Sequence, residues 1–152
     1  MAEKNQMTDE EKILADHNIA QALLTAAEYK NVEPKKINII REGQNMFSFT
    51  VEGISEKAWD RARRESTRNR NKRNEEFDVG RFLSHVIYEA TIPEDKKKIW
   101  QEKSVWQKLN AASGVDVVNA ILKPAEKQKI AELIEDMSGY NDDGLEGLIE
   151  DL

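Results

Sequence analysis

The sequence predicts an α+β fold, predominantly α: a small helical domain with one β-hairpin near its N-terminal third. Three observations predict it. Apolar residues recur at helical spacing in several separate segments, the stretch from Lys36 to Glu52 alternates with period two, and Pro93, Pro124 and Gly139 stand where helices should begin or end.

Taken in order, Thr8-Asp9-Glu10-Glu11 is a capping-box pattern, in which the Thr8 hydroxyl and the Glu11 carboxylate can satisfy unpaired backbone N–H groups. Ile13, Ala20, Leu23, Leu24 and Ala27 follow at helical spacing. They predict a helix from about Thr8 to Lys30, ended by the extended bias that Pro34 imposes on Glu33. Ile37 and Ile39, a turn across 41–45, then Phe47, Phe49 and Val51 predict a hairpin with one apolar face, which two strands alone cannot shelter. Ser55 is an N-cap for a helix whose narrow stripe is Ala58, Trp59, Ala62 and Ser66. Val79, Phe82, Leu83, Val86, Ile87 and Ala90 then predict the central core helix. Two or three short helices are expected between Pro93 and Leu122, divided by Gly114. Pro124 opens a last helix with Ile130, Leu133, Ile134 and Met137 on one face and Gly139 as its C-cap. The organisation expected is a frayed 1–7, one mostly helical domain over 8–140, and an acidic amphipathic tail over 141–152.

Composition narrows the function. The 152 residues are 34% charged and 39% hydrophobic with a formal net charge of -6, a balance that suits one globular domain with a solvated surface. No apolar run approaches the roughly 18 residues of a membrane span, and the opening Met1-Ala2-Glu3-Lys4-Asn5 is no signal segment, so a cytoplasmic protein without a membrane partner is expected. Without cysteine there is no disulfide, thiolate metal site or cysteine nucleophile.

Catalytic chemistry finds no foothold in the pattern. His17 and His85 fall on different expected helices outside any metal-ligand spacing, so both read as structural or solvent-exposed. The seven glycines form no phosphate-binding loop. Trp59, Trp100 and Trp106 sit at helical positions among aliphatic residues, which suits core or partner-facing anchors better than a ligand box. No catalytic residue, metal site or cofactor is assigned, and an enzyme would need a pocket with no sequence signature.

Two charged segments remain. From Arg61 to Arg73 there are seven basic residues, among them Arg61, Arg64, Arg68, Arg70 and Arg73, against the single acid Glu65. Such a cluster can hold an acidic protein surface or nucleic acid, or be a solvated helix end and loop partly neutralised by Glu75, Glu76 and Asp78. Nucleic acid is the less favoured partner, because no aromatic residue is interleaved for base stacking. From Glu132 to Leu152 there are eight acids and no base, and Leu145, Leu148, Ile149 and Leu152 would share one helical face. That stripe can anchor in a partner's groove, or fold back on its own domain or on the Arg61–Arg73 patch. Homo-oligomerisation stays open beside these.

The stretch Ala120-Ile121-Leu122-Lys123-Pro124-Ala125-Glu126, continuing through Ile130, Leu133 and Ile134 to Ser138-Gly139-Tyr140, resembles the Leu-x-Pro-Gly-Glu motif and the helix-Ser-Gly-aromatic ending of XkdN-like phage tail assembly chaperones of PBSX-type prophages. The resemblance extends back through Phe47 to Trp59 and Arg81 to Thr91. Ala125 departs from the glycine of that motif, which bears on the local turn. The resemblance implies a non-enzymatic protein of the bacterial host cytoplasm. It would bind the tail tape measure protein, the tail tube protein or both during assembly, and be absent from the mature virion. Leu145, Leu148, Ile149 and Leu152 are the candidate anchors, and Arg61–Arg73 an electrostatic guide. A nucleic-acid-associated prophage accessory protein using Arg61–Arg73 is the alternative.

Overall fold

A computed structural model describes residues 8–30 and 33–140, together with Leu148; the side chains of 10–17, and with them His17, and of 29–30 lie outside the description, as does the stretch 1–7 expected to fray. The chain divides between residues 31 and 32 into two compact units. The first holds α1, Asp9–Lys30, close to the bounds expected. Its apolar residues are spread around the helix instead of gathered on one face, and Ile19, Leu23 and Leu24 are exposed. At 22 residues it exceeds the roughly 12–15 below which a helix is marginal on its own.

The second unit is mostly helical and begins with the expected hairpin. β1 (Lys35–Arg41) and β2 (Gln44–Val51) pair antiparallel through a two-residue turn, Glu42-Gly43, in which both φ angles are positive (53° and 77°). The turn is tighter than the five residues expected, since Arg41 already pairs with Gln44. The pairing register shifts between Ile39 and Ile40, yet the in-out alternation of β1 continues across it, with Ile39 buried and Ile40 exposed. Phe47 and Phe49 meet the Trp100 ring edge-on at 5.9 and 5.2 Å, which is how the apolar face of the hairpin finds its cover. The outer edge of β2 is occupied too: Ile92 N–H donates to Thr50 O and Thr50 N–H to Asp95 Oδ2 (3.0 and 2.7 Å).

α2 (Glu56–Glu65) is capped by Ser55, whose hydroxyl accepts from Ala58 N–H at 3.1 Å. Ala58, Ala62 and Ser66 are its buried stripe, small enough for the helix to lie close on α3 (Val79–Ala90). α3 is the central element and packs on α2, α6 (Gly114–Ile121) and α7 (Pro124–Met137). Phe82, Val86, Ile87 and Ala90 are buried as expected, but Val79, the first residue of the helix, is 58% exposed. Burial all round the helix middle instead takes in Ser84 and His85.

Between α3 and α6 run the short α4 (Pro93–Asp95), a π-helical turn (Lys96–Trp100) and α5 (Lys103–Leu109). Trp100 is wholly buried, with Nε1–H donated to Thr91 Oγ1 at 3.0 Å; Trp106 donates to Trp100 O at 2.7 Å. Gly114 is needed for close approach, because a Cβ there would overlap the Tyr88 ring. α7 starts at Pro124 as expected. Glu126 Oε1 accepts from Lys123 N–H at 2.7 Å, and Ala125 lies within the first helical turn, where alanine is the better helix former, so the departure from glycine disturbs no turn. The helix ends with Gly139 at φ 84°, its N–H bonded to Asp136 O and that of Tyr140 to Glu135 O, both at 3.1 Å.

One feature was not expected. The two-residue strands β3 (Thr67–Arg68) and β4 (Glu76–Phe77) pair antiparallel and turn the end of the basic stretch into a second, minimal hairpin. Asn69 and Asn71 take the positive φ angles (54° and 64°) that its loop requires.

Candidate interaction surface

Arg61, Arg63 and Arg64 project from α2, Arg68 from β3, and Arg70, Lys72 and Arg73 from the loop between β3 and β4. All seven are exposed. Arg61 reaches Glu89 at 3.2 Å, and Arg68 lies 4.0 Å from Asp78. Arg63, Arg64, Arg70, Lys72 and Arg73 form no ion pair with any described residue. Of the acids expected to neutralise the segment, Glu75 accepts from the backbone N–H of Asn71 at 3.1 Å, which stabilises the loop, and Glu76 pairs with no base among the described residues. The segment is a positive surface spread over the exposed end of α2 and the β3–β4 loop.

Beside it, Tyr140 lies against Trp59, ring centroids 5.0 Å apart, over a notch lined by Glu56, Asp60, Arg63 and Glu135. Burial and the Glu56 and Asp60 carboxylates push the Tyr140 hydroxyl above its usual range. Residues 141–152 begin from this point. Of the four candidate anchors Leu148 is 70% exposed, and Leu145, Ile149 and Leu152 lie outside the described residues.

A second concave surface escaped sequence reasoning. Residues 36–40 of β1 form one wall of an open groove of about 770 Å³, with Ile130 and Leu133 of α7 on the other and Lys129, Glu132 and Asp136 among its lining. Arg41, next along β1, ties the strand to α7 by donating to Glu126 Oε1 (2.7 Å) and also donates to Ile121 O (2.8 Å). Burial works against the charge on Glu126, but the hydrogen bonds from Arg41 and from Lys123 N–H hold its carboxyl below the ordinary range. The signal in the sequence is the consecutive pair Ile39-Ile40, which puts an apolar side chain on each side of the strand.

The titratable groups in the body do structural work. His85 Nε2 is 3.1 Å from Glu65 Oε2, while its Nδ1 is buried without a partner. Burial, opposed by Glu65, holds its pKa below the usual histidine value, so the ring is a neutral donor to Glu65. Arg81 and Asp116 tie α3 to α6 at 2.9 Å, and no group of three or more His, Cys, Asp or Glu suited to a metal occurs among the described residues. Nor is any described helix long and apolar enough to cross a membrane.

The arrangement can bind another macromolecule through charge and apolar grooves, and the comparison with known families decides which kind of protein does so here. The family model for phage XkdN-like tail assembly chaperone proteins matches residues 20–152. The chain belongs to that family. This tail assembly chaperone is accordingly one of a non-enzymatic class that binds tail components, and the matched region takes in the basic hairpin, the groove and residues 141–152. Among solved structures, the crystal structure of the protein YqbN is similar at 15% identity and a TM-score of 0.45, over 72% of this chain and 89% of that one. No curated protein matches the chain.

Proposed function

We propose that this tail assembly chaperone binds the tape measure protein, the tail tube protein or both in the bacterial host cytoplasm and leaves before the virion is complete. The family match over residues 20–152 carries this reading. A long chain with an exposed apolar stripe aggregates unless apolar anchors rimmed by charge cover it. Here Leu145, Leu148, Ile149 and Leu152 supply such a stripe, and Arg61, Arg64, Arg68, Arg70 and Arg73 a field that steers an acidic surface toward it. The test is co-expression of a tagged copy with a tape measure or tube protein from the same phage, followed by nuclease treatment and purification. A tail component should co-purify, and ending the chain at Tyr140 should reduce its yield. Purification of the chaperone alone from both co-expressions would sink the reading.

The five bases without an ion pair to any described residue favour one competing reading, a nucleic-acid-associated accessory protein. It requires binding that falls steeply as salt rises, through counterion release. Retention of nucleic acid at low salt with no tail component bound would select it.

A further inference from the structure

We infer that the basic surface formed by the C-terminal half of α2 and the β3–β4 loop is the seat of residues 141–152, which it holds by their acidic face so that their leucine face points outward. Four observations converge on this. The first is charge: residues 141–152 contain five acids and no base, and the seat offers Arg63, Arg64, Arg70, Lys72 and Arg73, none of them paired to a described residue. The second is route. Tyr140, from which the segment departs, rests on Trp59, and Arg63 stands one helical turn further along α2 in the same notch. α2 then runs directly into β3, with Thr67 Oγ1 donating to Arg63 O at 2.8 Å, so Arg63 and the loop beyond it form one continuous surface.

The third is direction. Glu56 and Asp60 lie on the N-terminal half of α2 and Glu135 on the neighbouring end of α7, and these like charges repel an acidic segment from that side. The C-terminal half of α2 carries the arginines and attracts it. The fourth is pattern. At helical spacing Asp143 and Glu150 fall on the face opposite Leu145, Leu148, Ile149 and Leu152, with Glu146 and Asp151 on the flanks, so a segment seated by these acids turns its leucines away from the seat.

At helical spacing twelve residues span roughly 18 Å, and more where part of the segment is extended. Individually weak surface ion pairs suffice, because a short tether puts the segment at an effective concentration on the order of millimolar. The leucine face meeting a tail component rests on the chaperone reading; the seat itself does not, and its test needs no partner.

The chain has no cysteine, so Gly147→Cys gives one site for a nitroxide label that spares every acid and leucine of the segment. In isotope-labelled full-length protein at low salt, the nitroxide should broaden the amide signals of residues 63–73. The broadening should vanish in 1 M salt, where the Debye length falls to about 3 Å, and in the Arg70→Glu, Lys72→Glu, Arg73→Glu variant. Broadening of the β1–α7 groove instead, no broadening anywhere in the described body, or broadening unmoved by salt and charge reversal would each overturn the proposal. A mixture of nitroxide-bearing chains without isotope and isotope-labelled chains without nitroxide completes the test. Broadening carried over in full to the second chain assigns the seat to another copy and overturns the intramolecular form; its loss on mixing supports it. Loss of the seat with tail components still bound would leave the chaperone reading standing.

Discussion

In the body around α3, Val86, Ile87, Val117, Val118 and Ile134 are completely buried, whereas from Arg63 to Phe77 only Ser66 is buried and Thr67 partly so. The body is held by apolar packing between helices whose spacing the sequence repeats. The basic hairpin is held by four strand residues, two asparagines in left-handed conformations and one carboxylate on a backbone N–H. The difference teaches where each role resides. Apolar packing holds the body, whereas the hairpin leaves Arg70, Lys72 and Arg73 without an ion pair to any described residue.

That separation is open to attack from its strongest point. Trp100→Ala removes a wholly buried ring that joins the hairpin to α3 through Phe49 and Thr91, and should cost about 3–5 kcal/mol in urea unfolding. Gly114→Ala drives a methyl into the Tyr88 ring at the α3–α6 contact and should cost about 1–3 kcal/mol by the same measurement.

A third effect appears with pH. The fold holds His85 with a lowered pKa, so below the ordinary histidine value the unfolded chain binds a proton that the folded one resists. Stability present above that value is drawn down as pH falls through it toward the folded value. His85→Gln should flatten this part of a stability profile measured between pH 8 and pH 5, and an unchanged slope would assign it to other groups. The smallest effect is expected in the hairpin: Arg70→Ala, Lys72→Ala and Arg73→Ala should each shift stability by no more than about 0.5 kcal/mol. A loss of several kcal/mol from any of them would show that the charges help hold the fold, and the contrast between the two regions would break.

The sequence by itself determined the helical body and the first hairpin, because apolar period is a local property: α1, α2, α3 and α7 appear near their expected bounds, with Ser55, Pro124 and Gly139 in their expected roles. It also pointed to the family through residues 120–140, and to the basic stretch as a surface. Tertiary structure decided what depends on neighbours distant in the chain. Val79 is exposed although it continues the apolar stripe of α3, and His85 is buried because other helices pack where its own helix pattern reads polar. The β3–β4 pairing joins residues on either side of a loop whose asparagines set its turn, with too few strand residues to show a period. The groove between β1 and α7 joins positions about 90 residues apart, and only the folded chain brings an exposed strand and a helix face together.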